Sequence, residues 1–286
     1  MEERLIRAYD HVKSLTKQYG TSYYFATRFF PKKMRLATYA LYGFFRVPDE
    51  YVDNPDQSLS HQEVIQKLED WHEKWRQAHQ TGDSDDPVLL VTAKTFQEYD
   101  IPYQYGEDFL AAMKQDLSKE RYETYAELQG YMYGSASVVG LMMSHVIGFE
   151  DGALPYAEKL GEAMQMTNFL RDIREDYEDR NRIYMPAEDL AKLGVTEDHI
   201  RNHICDDKFI EFMKFEIQRT RALYREADQG IPMLTPRGRF AVRMASRLYE
   251  AILTKIEEQN YNIFIGRART TKREKMKILA SELVKK

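Results

Sequence analysis

Apolar side chains recur along most of this chain at the three- and four-residue spacing of a single helix face. Runs that alternate apolar and polar positions, as strands do, are not found, and the nine prolines stand apart from one another. No Gly/Ser-rich segment separates two halves, so the pattern predicts one all-α domain over residues 1–286. The predicted helices are 5–18, 32–53, 61–80, 87–99, 106–118, 124–148, 153–179, 187–193, 207–228 and 235–260.

One segment, residues 128–149, has 22 positions without Asp, Glu, Lys or Arg and is long enough to cross a bilayer. It also contains Gln129, His145, three serines and four glycines, which are costly in lipid. We therefore expect a buried central helix rather than a membrane span. The small residues at 134–137 leave little volume beside the backbone, so a neighbouring helix or a bulky ligand can approach closely.

Two carboxylates lie four residues apart just after residues 36–45, which are apolar nearly all round, as a buried helix should be. Asp49 and Asp53 project from one face of a helix at this spacing. Arg46 and Tyr42 fall on the same stripe. The segment therefore predicts a buried helix face that carries an arginine, a tyrosine and two carboxylates.

A second acidic stripe follows a helix that has its own apolar side. Its members are Gln165, Asn168, Asp172 and Asp176. Acids four residues apart usually mark a solvated surface when they stand alone, and we assign Asp116 and Glu120 to such a surface. Two stripes on buried helices, each beside an arginine, instead predict a functional site.

Carboxylates on buried helices need compensating cations, because uncompensated buried charge is costly. Mg²⁺ prefers oxygen ligands and commonly takes one or two carboxylates together with substrate phosphates. Two facing acidic helices therefore predict several Mg²⁺ ions whose coordination is completed by diphosphate, with Arg46 and Arg171 bonded to the same diphosphate. A diphosphate neutralised in this way is a good leaving group. The 20 Tyr and 14 Phe residues would line a tunnel for an apolar tail and stabilise a carbocation.

The charge balance, the cysteine count and the basic C-terminal segment limit the kinds of partner and compartment that we expect. The 41 basic and 46 acidic residues give a net charge of -5, which argues against a general nucleic-acid binder. Cys205 is the single cysteine, so an intramolecular disulfide and a multi-cysteine metal cluster are excluded. With no signal peptide evident, we expect a cytoplasmic protein. Residues 267–286 carry eight Lys or Arg and two Glu, as a solvated helix end or a site attracted to anionic lipid or phosphorylated substrate would.

At these motifs the sequence resembles the phytoene/squalene synthase family of head-to-head prenyl transferases. The second acidic stripe carries the most specific part, because it continues into Arg-Ile-Tyr-Met-Pro at 182–186. The resemblance is greatest to phytoene synthases, at 49–50, 54–55 and 168–172. The matching motifs cover nearly the whole chain, at 19–24, 42–53, 131–136, 165–176, 182–186 and 249–267.

The resemblance implies an isoprenoid-synthase helical bundle around a central apolar cavity, and Mg²⁺-dependent condensation of two allylic diphosphates. The first diphosphate ionises, the double bond of the second attacks its C1 cation, and loss of a proton closes a cyclopropylcarbinyl diphosphate. A second ionisation and rearrangement then yields the coupled hydrocarbon.

The resemblance also implies a role for each motif residue. The metal, Mg²⁺ or Mn²⁺ in its place, is held by Asp49, Asp53, Asn168, Asp172 and Asp176. Contacts to diphosphate are implied for Tyr42, Arg46, Gln165, Arg171, Tyr249 and Arg267. Tyr19 and Ser22 are implied as further substrate contacts, and Tyr133 is implied beside the reacting carbons.

We favour non-reductive coupling of two geranylgeranyl diphosphates to phytoene, with no NADPH. Coupling of two farnesyl diphosphates to squalene or dehydrosqualene is the alternative, although we expect no C-terminal membrane anchor like that of eukaryotic squalene synthases. A non-catalytic scaffold is a third hypothesis, which the presence of all four aspartates argues against.

The basic C-terminal segment and an apolar product favour peripheral membrane association. His199 and His203 lack a third ligand, so we interpret them as a solvated helix pair.

Overall fold

The computed structural model describes residues 2–53 and 58–284, apart from the side chain of Ser22. Within these ranges the regular structure is helical, which confirms the predicted all-α class; extended backbone pairs only at two isolated bridges, Arg121 with Ile183 and Phe149 with Leu234. A π-helical turn spans Tyr133–Ser137 and a 3₁₀ turn spans Ile231–Met233. The α-helices are α1 (Glu2–Tyr19), α2 (Thr21–Thr27), α3 (Lys32–Asp53), α4 (His61–Thr81), α5 (Pro87–Glu98), α6 (Tyr103–Gln115), α7 (Tyr125–Met132), α8 (Val138–Ile147), α9 (Leu154–Arg180), α10 (Ala187–Lys192), α11 (Glu197–Arg201), α12 (Asp207–Asp228), α13 (Pro236–Glu258) and α14 (Lys272–Val284).

The hydrophobic periodicity locates most of these helices to within a few residues. The predicted segments 32–53 and 207–228 coincide with α3 and α12. Three observed helices, α2, α11 and α14, are not among the predicted ones. The first two have seven and five residues, too few for a helical period to stand out.

The predicted helix over 124–148 is confirmed in its extent, since residues 125–147 are helical throughout, but it contains a π-helical turn that the sequence pattern does not predict. The chain there forms α7, the π-helical turn and α8 in succession. A close contact accompanies the turn: a Cβ on Gly134 would lie 2.6 Å from the carbonyl oxygen of Asp108. The segment is buried as expected, with Leu128, Met132 and Val138 fully enclosed. Among the described residues, no helix is both long and apolar enough to span a membrane.

The apolar stretch of α3 lies in the core, as its sequence predicts. Phe44 is fully buried, and its ring centroid lies 4.7 Å from that of Trp75 on α4. The rings of Phe96 and Phe109 complete this aromatic cluster at 6.2 and 5.9 Å. Offset and edge contacts between aromatic rings stabilise such cores beyond the area they bury. The cluster fixes α3 against α4, α5 and α6, and so fixes the direction of its acidic end.

Helix α9 packs against α8, α12 and α13, and glycines allow the closest approaches. A Cβ on Gly140 would lie 2.3 Å from the carbonyl oxygen of Ala157. A Cβ on Gly161 would lie 2.4 Å from the carbonyl oxygen of Ala136. Both distances are too short for any side chain. This confirms that small residues in the uncharged segment let a neighbouring helix approach, and that neighbour is α9.

A buried polar cluster ties the end of α6 to α7 and to the chain after α9. The hydroxyl of Tyr131 donates to Asp116 at 2.6 Å, and that of Tyr184 donates to the same carboxylate at 3.3 Å. Arg182 donates to the backbone carbonyl of Asp116 at 2.5 Å. The assignment of Asp116 to the solvated surface is therefore wrong, since it is 7% exposed, whereas Glu120 is exposed as expected. Burial raises the pKa of Asp116 to about 6, although Arg182 and the tyrosine hydroxyls oppose the rise.

Alanine substitutions at two glycines test the close contact with α9. Gly140→Ala should lower the free energy of unfolding by about 1–3 kcal/mol, because its methyl group would overlap a backbone carbonyl. Gly130→Ala is the matched control: nothing lies within 4 Å of its Cβ position, so it should add about 0.5–1 kcal/mol from helix propensity. Chemical denaturation measures both. Equal effects at the two positions would contradict the packing described.

The Asp116 cluster predicts a pH dependence of stability. Because the native pKa lies above the unfolded value, the carboxyl group favours folding most at low pH. That contribution falls as the pH rises from about 4 to about 6. Asp116→Asn lacks this pH-dependent contribution. The free energy of unfolding of the variant minus that of the unsubstituted protein should therefore rise by up to about 3 kcal/mol across that window. Urea unfolding at several pH values measures the difference. A difference that stays constant with pH would contradict it.

Candidate active site

A cavity of about 970 Å³ lies among α2, α3, α8, α9 and α13, which confirms the expected central cavity. One part of its wall is apolar, formed by the packed side chains of Phe30, Ile147, Leu234 and Ala241. Another part carries the acidic stripes of α3 and α9. Aromatic side chains line much of the remainder, as the sequence predicts: Tyr19, Tyr23, Tyr42, Phe45, Phe109, Tyr131, Tyr156, Phe169, Tyr184 and Tyr249.

The stripe on α3 points into the cavity from the last two turns of the helix. Arg46 donates to Asp49 at 2.6 Å and contacts Glu50. Its guanidinium carbon lies 4.4 Å from the centroid of the Tyr19 ring, so the arginine is held by a carboxylate pair on one side and a π face on the other. Asp53 is not bonded to Arg46; its partner comes from α9.

The stripe on α9 is held by arginines from two parts of the chain. Arg267 donates to both oxygens of Asp172 at 2.7 Å each, in the bidentate arrangement that arginine favours. Arg171 donates to the same carboxylate at 2.7 Å through Nε. Asp176, one turn further along, lies 3.4 Å from Arg180. The segment that precedes α14 therefore reaches back across 95 residues to bind the second stripe.

Arg180, the last residue of α9, connects the two stripes. Its Nε lies 3.0 Å from Asp53 on α3, and its Nη1 lies 3.4 Å from Asp176 on α9. Asn181 follows in the left-handed conformation with φ 55°, where it caps the helix and ends it. The carboxylates of α3 and α9 thus face each other across one guanidinium.

The pKa values of the four aspartates reflect their burial and the charged groups beside them. Desolvation by burial raises the pKa of Asp49 to about 7, and repulsion from Asp53 adds to the rise. The pKa of Asp53 is also raised, chiefly by burial. Burial, with repulsion from Asp172, raises the pKa of Asp176 well above its ordinary value. Only Asp172 has a lowered pKa, since Arg171 and Arg267 outweigh its burial.

The donor set fits a hard divalent cation, because it consists of carboxylate and amide oxygens from two facing helices. Asn168 and Gln165, the amide members of the stripe on α9, line the cavity, and Glu175 has a buried Oε2 without a hydrogen-bond partner. Within the described part of the chain, no three His, Cys, Asp or Glu side chains converge closely enough to hold a metal. The aspartates are turned towards arginines instead. The predicted metal ligands therefore remain a prediction, which requires the carboxylates to exchange their arginine partners for metal.

The structure brings nearly all of the predicted substrate contacts to the cavity. Tyr42 packs against Tyr23, with ring centroids 5.3 Å apart, and also closely covers Gly20. Burial raises the pKa of Tyr249, which lines the cavity beside the stripe on α9. The side chain of Ser22 and residues 54–55 lie outside the described residues. The predicted residues that line the cavity are Tyr19, Tyr42, Arg46, Asp49, Asp53, Gln165, Asn168, Arg171, Asp172, Asp176, Tyr249 and Arg267.

Tyr133 is the exception among the predicted contacts. Its side chain does not line the cavity, and the residue is 40% exposed. Partial burial, with the nearby carboxylates of Asp108 and Glu158, raises the pKa of its hydroxyl. The π-helical turn begins at this residue and changes the register of the helix. Of the two tyrosines in this motif, Tyr131, which precedes the turn, is the one that lines the cavity.

Sequence reasoning missed several polar residues of the cavity wall. Tyr131 and Tyr184 were present in the motifs, but a regular helix gives no sign of which tyrosine faces inward. Asp116 has only an ordinary four-residue spacing to Glu120, so no local signal marks it as buried. Arg180 is the last residue of its helix, and only the fold shows that its guanidinium lies between carboxylates of two helices. The interpretation of His199 and His203 as a solvated helix pair is wrong: α11 ends at Arg201, and His203 lies beyond it with φ 54° and pairs with Glu178 at 2.9 Å. Both histidines lie outside the cavity wall.

Comparison with known proteins matches most of this chain to one family. The Squalene/phytoene synthase family matches residues 16–274. The "15-cis-phytoene synthase" of Synechocystis sp. is 37% identical over 276 residues, which cover 91% of this chain and 80% of that protein. The chloroplastic phytoene synthase of Daucus carota is 34% identical over 95% of this chain and 69% of its own length.

Solved structures show the same fold. A dehydrosqualene synthase crystallised with a ligand superposes with a TM-score of 0.91 at 26% identity, covering 99% of this chain and 98% of its own. The squalene synthase HpnC from Alicyclobacillus acidocaldarius superposes with a TM-score of 0.81 at 25% identity, over 90% of this chain and 96% of its own. With its two acidic helices facing one cavity and its sequence matched almost end to end, the chain belongs to the squalene/phytoene synthase family of prenyltransferases.

Proposed function

We propose that this protein condenses two molecules of geranylgeranyl diphosphate head to head, in a Mg²⁺-dependent reaction, to give phytoene. The reaction passes through a cyclopropylcarbinyl diphosphate, and both diphosphates are released. The single observation that carries the proposal is the pair of acidic stripes on α3 and α9, which face each other across Arg180 in one cavity. We treat residues 1–286 as one catalytic domain.

The arginines of the cavity supply the binding of diphosphate. Arg46, Arg171 and Arg267 are each bonded to a carboxylate, and each is able to transfer its donors to a phosphate oxygen when a cation neutralises that carboxylate. Asp49, Asp53, Asn168, Asp172 and Asp176 would hold Mg²⁺, with Mn²⁺ as a substitute. When bound, the metal would neutralise the charge that develops on the departing diphosphate.

The apolar and aromatic wall supplies the second requirement of the reaction. Two polyprenyl chains must lie side by side without water, because water would capture the allylic cation. The wall around Phe30, Ile147 and Leu234 excludes water, and ring faces nearer the acids, such as Tyr131 and Phe169, stabilise positive charge. The chain therefore orients the two prenyl groups and limits the fate of the cation.

The names of the relatives support the choice of substrate. Curated relatives at 32–37% identity are phytoene synthases, whereas the dehydrosqualene and squalene synthases that superpose on the structure are 26% and 25% identical. Coupling of farnesyl diphosphate to dehydrosqualene, or to squalene with NADPH, is the second candidate function. We expect no need for NADPH and no nucleic-acid partner. We also expect a cytoplasmic protein that associates with the membrane surface.

Product analysis tests the proposed reaction. Purified protein with Mg²⁺ and geranylgeranyl diphosphate, without NADPH, should give a C40 hydrocarbon with a conjugated triene in a hexane extract. Asp172→Asn should lower the rate roughly a hundredfold or more, because the charge that balances two arginines and a metal is lost. Asp70→Asn, on an exposed face of α4, is the matched control and should leave the rate unchanged. A C30 product from farnesyl diphosphate alone would favour dehydrosqualene, and absence of any hydrocarbon from folded protein would contradict catalysis.

Metal binding in the absence of substrate tests the exchange of partners at Arg180. Removing this guanidinium leaves Asp53 and Asp176 without a cation, so Arg180→Gln should be less stable than the unsubstituted protein in metal-free buffer. Mg²⁺ or Mn²⁺ should then raise its melting temperature more than that of the unsubstituted protein, since no arginine has to be displaced. Arg76→Gln, an exposed arginine of α4, is the control. Equal metal-induced shifts in all three proteins would show that Arg180 does not compete with metal.

A further inference from the structure

Helix α14 separates its charges by side. Glu282 is 3% exposed and lies 3.2 Å from Arg243 and 4.0 Å from Arg247. Glu274 lies 2.5 Å from Lys255. The three basic partners all belong to α13, so both acidic residues of α14 are turned inward and neutralised against the body of the protein.

The opposite side of α14 is basic and apolar. Arg273, Met276, Lys277, Leu283 and Val284 are exposed and lie on the side of the helix opposite Glu282, and we call these five residues the outer face of α14. Met276, Leu283 and Val284 are 55%, 51% and 85% exposed, which is unusual for large apolar side chains. No acidic side chain of this helix lies on the outer face, because both are held on the other side.

Helix α1 shows that this separation is not general among the surface helices. It also exposes an apolar residue, Ile6, at 56%. Around Ile6, however, the exposed charges of α1 have both signs, with Glu3 and Asp10 beside Arg7 and Lys13. A surface with charges of both signs is not attracted to an anionic membrane, whereas the basic outer face of α14 is attracted to one.

The position of α14 relates this face to the cavity. Arg269, Thr270 and Lys275 line the cavity, and they lie just before the helix and in its first turn. Ile278 and Leu279 pack inward against the cluster around Met244 and Leu248. The outer face therefore stands at the rim of the cavity that would hold the prenyl substrates.

We propose that the outer face of α14 docks this rim of the cavity on an anionic lipid bilayer. Basic side chains bind the charged headgroups, while Met276, Leu283 and Val284 enter the boundary between headgroups and acyl chains. The consequence for catalysis rests on the proposed function: a water-insoluble hydrocarbon would leave the cavity next to the phase that dissolves it. The docking itself requires neither substrate nor metal.

Vesicle flotation of the full chain tests the docking, with vesicles of phosphatidylcholine alone and of phosphatidylcholine mixed with phosphatidylglycerol. The protein should float with the anionic vesicles at low salt, and high salt should release it. The double variant Arg273→Gln/Lys277→Gln should lower the partition coefficient roughly thirtyfold. Met276→Ser/Leu283→Ser should lower it about tenfold or more, at unchanged net charge.

Substitutions on α1 are the matched controls. Lys13→Gln/Lys17→Gln removes the same charge, and Ile6→Ser removes an apolar side chain of similar exposure; both should leave binding unchanged. Absence of binding to anionic vesicles at low salt would overturn the proposal, as would equal losses in the α1 and α14 variants. Sedimentation without lipid provides a further check: an oligomer dissociated by the α14 substitutions, without vesicle binding, would assign the face to a second copy and also overturn it. Because flotation involves no turnover, a protein that binds vesicles but forms no hydrocarbon would refute only the proposed reaction.

Discussion

The structure depends on how it holds four aspartates inside one cavity. Two helices that approach from different parts of the chain bring these groups together, and burial alone would make their ionisation costly. Arginines balance the charge in the arrangement described, and Arg180 does so for both helices at once. Under the proposed function, a divalent cation bound by these carboxylates would free the arginine donors for diphosphate. Metal and diphosphate are therefore expected to bind cooperatively.

The rest of the fold holds the two acidic helices at the correct separation. The aromatic cluster around Phe44 fixes α3, and the glycine contacts at 140 and 161 draw α9 close to the uncharged segment. The Asp116 cluster joins the end of α6 to the chain that follows α9. Burying Asp116 is costly, but its hydrogen bonds order the wall of the cavity, and its partners Tyr131 and Tyr184 also line that cavity.

Sequence reasoning located what depends on local pattern. Helical periodicity gave the class and the extents of α3 and α12, and the spacing of acids gave both stripes, because each property repeats within a few turns of one helix. It failed where the answer depends on contacts across the chain. The side chain of Tyr133 lies outside the cavity wall while that of Tyr131 lines it, and Asp116 is buried by elements more than ten residues away in sequence. The function of Arg180 likewise follows only from the meeting of two helices.

A double-mutant cycle on Asp53 and Asp176 tests the central claim that the two stripes form one site. The free energy of unfolding would be measured without metal for Asp53→Asn, Asp176→Asn and the double variant. Because both carboxylates share Arg180, the account predicts an interaction energy of about 1 kcal/mol or more between the two substitutions. Effects that add within about 0.5 kcal/mol would show that the helices carry independent carboxylates, and would contradict the account.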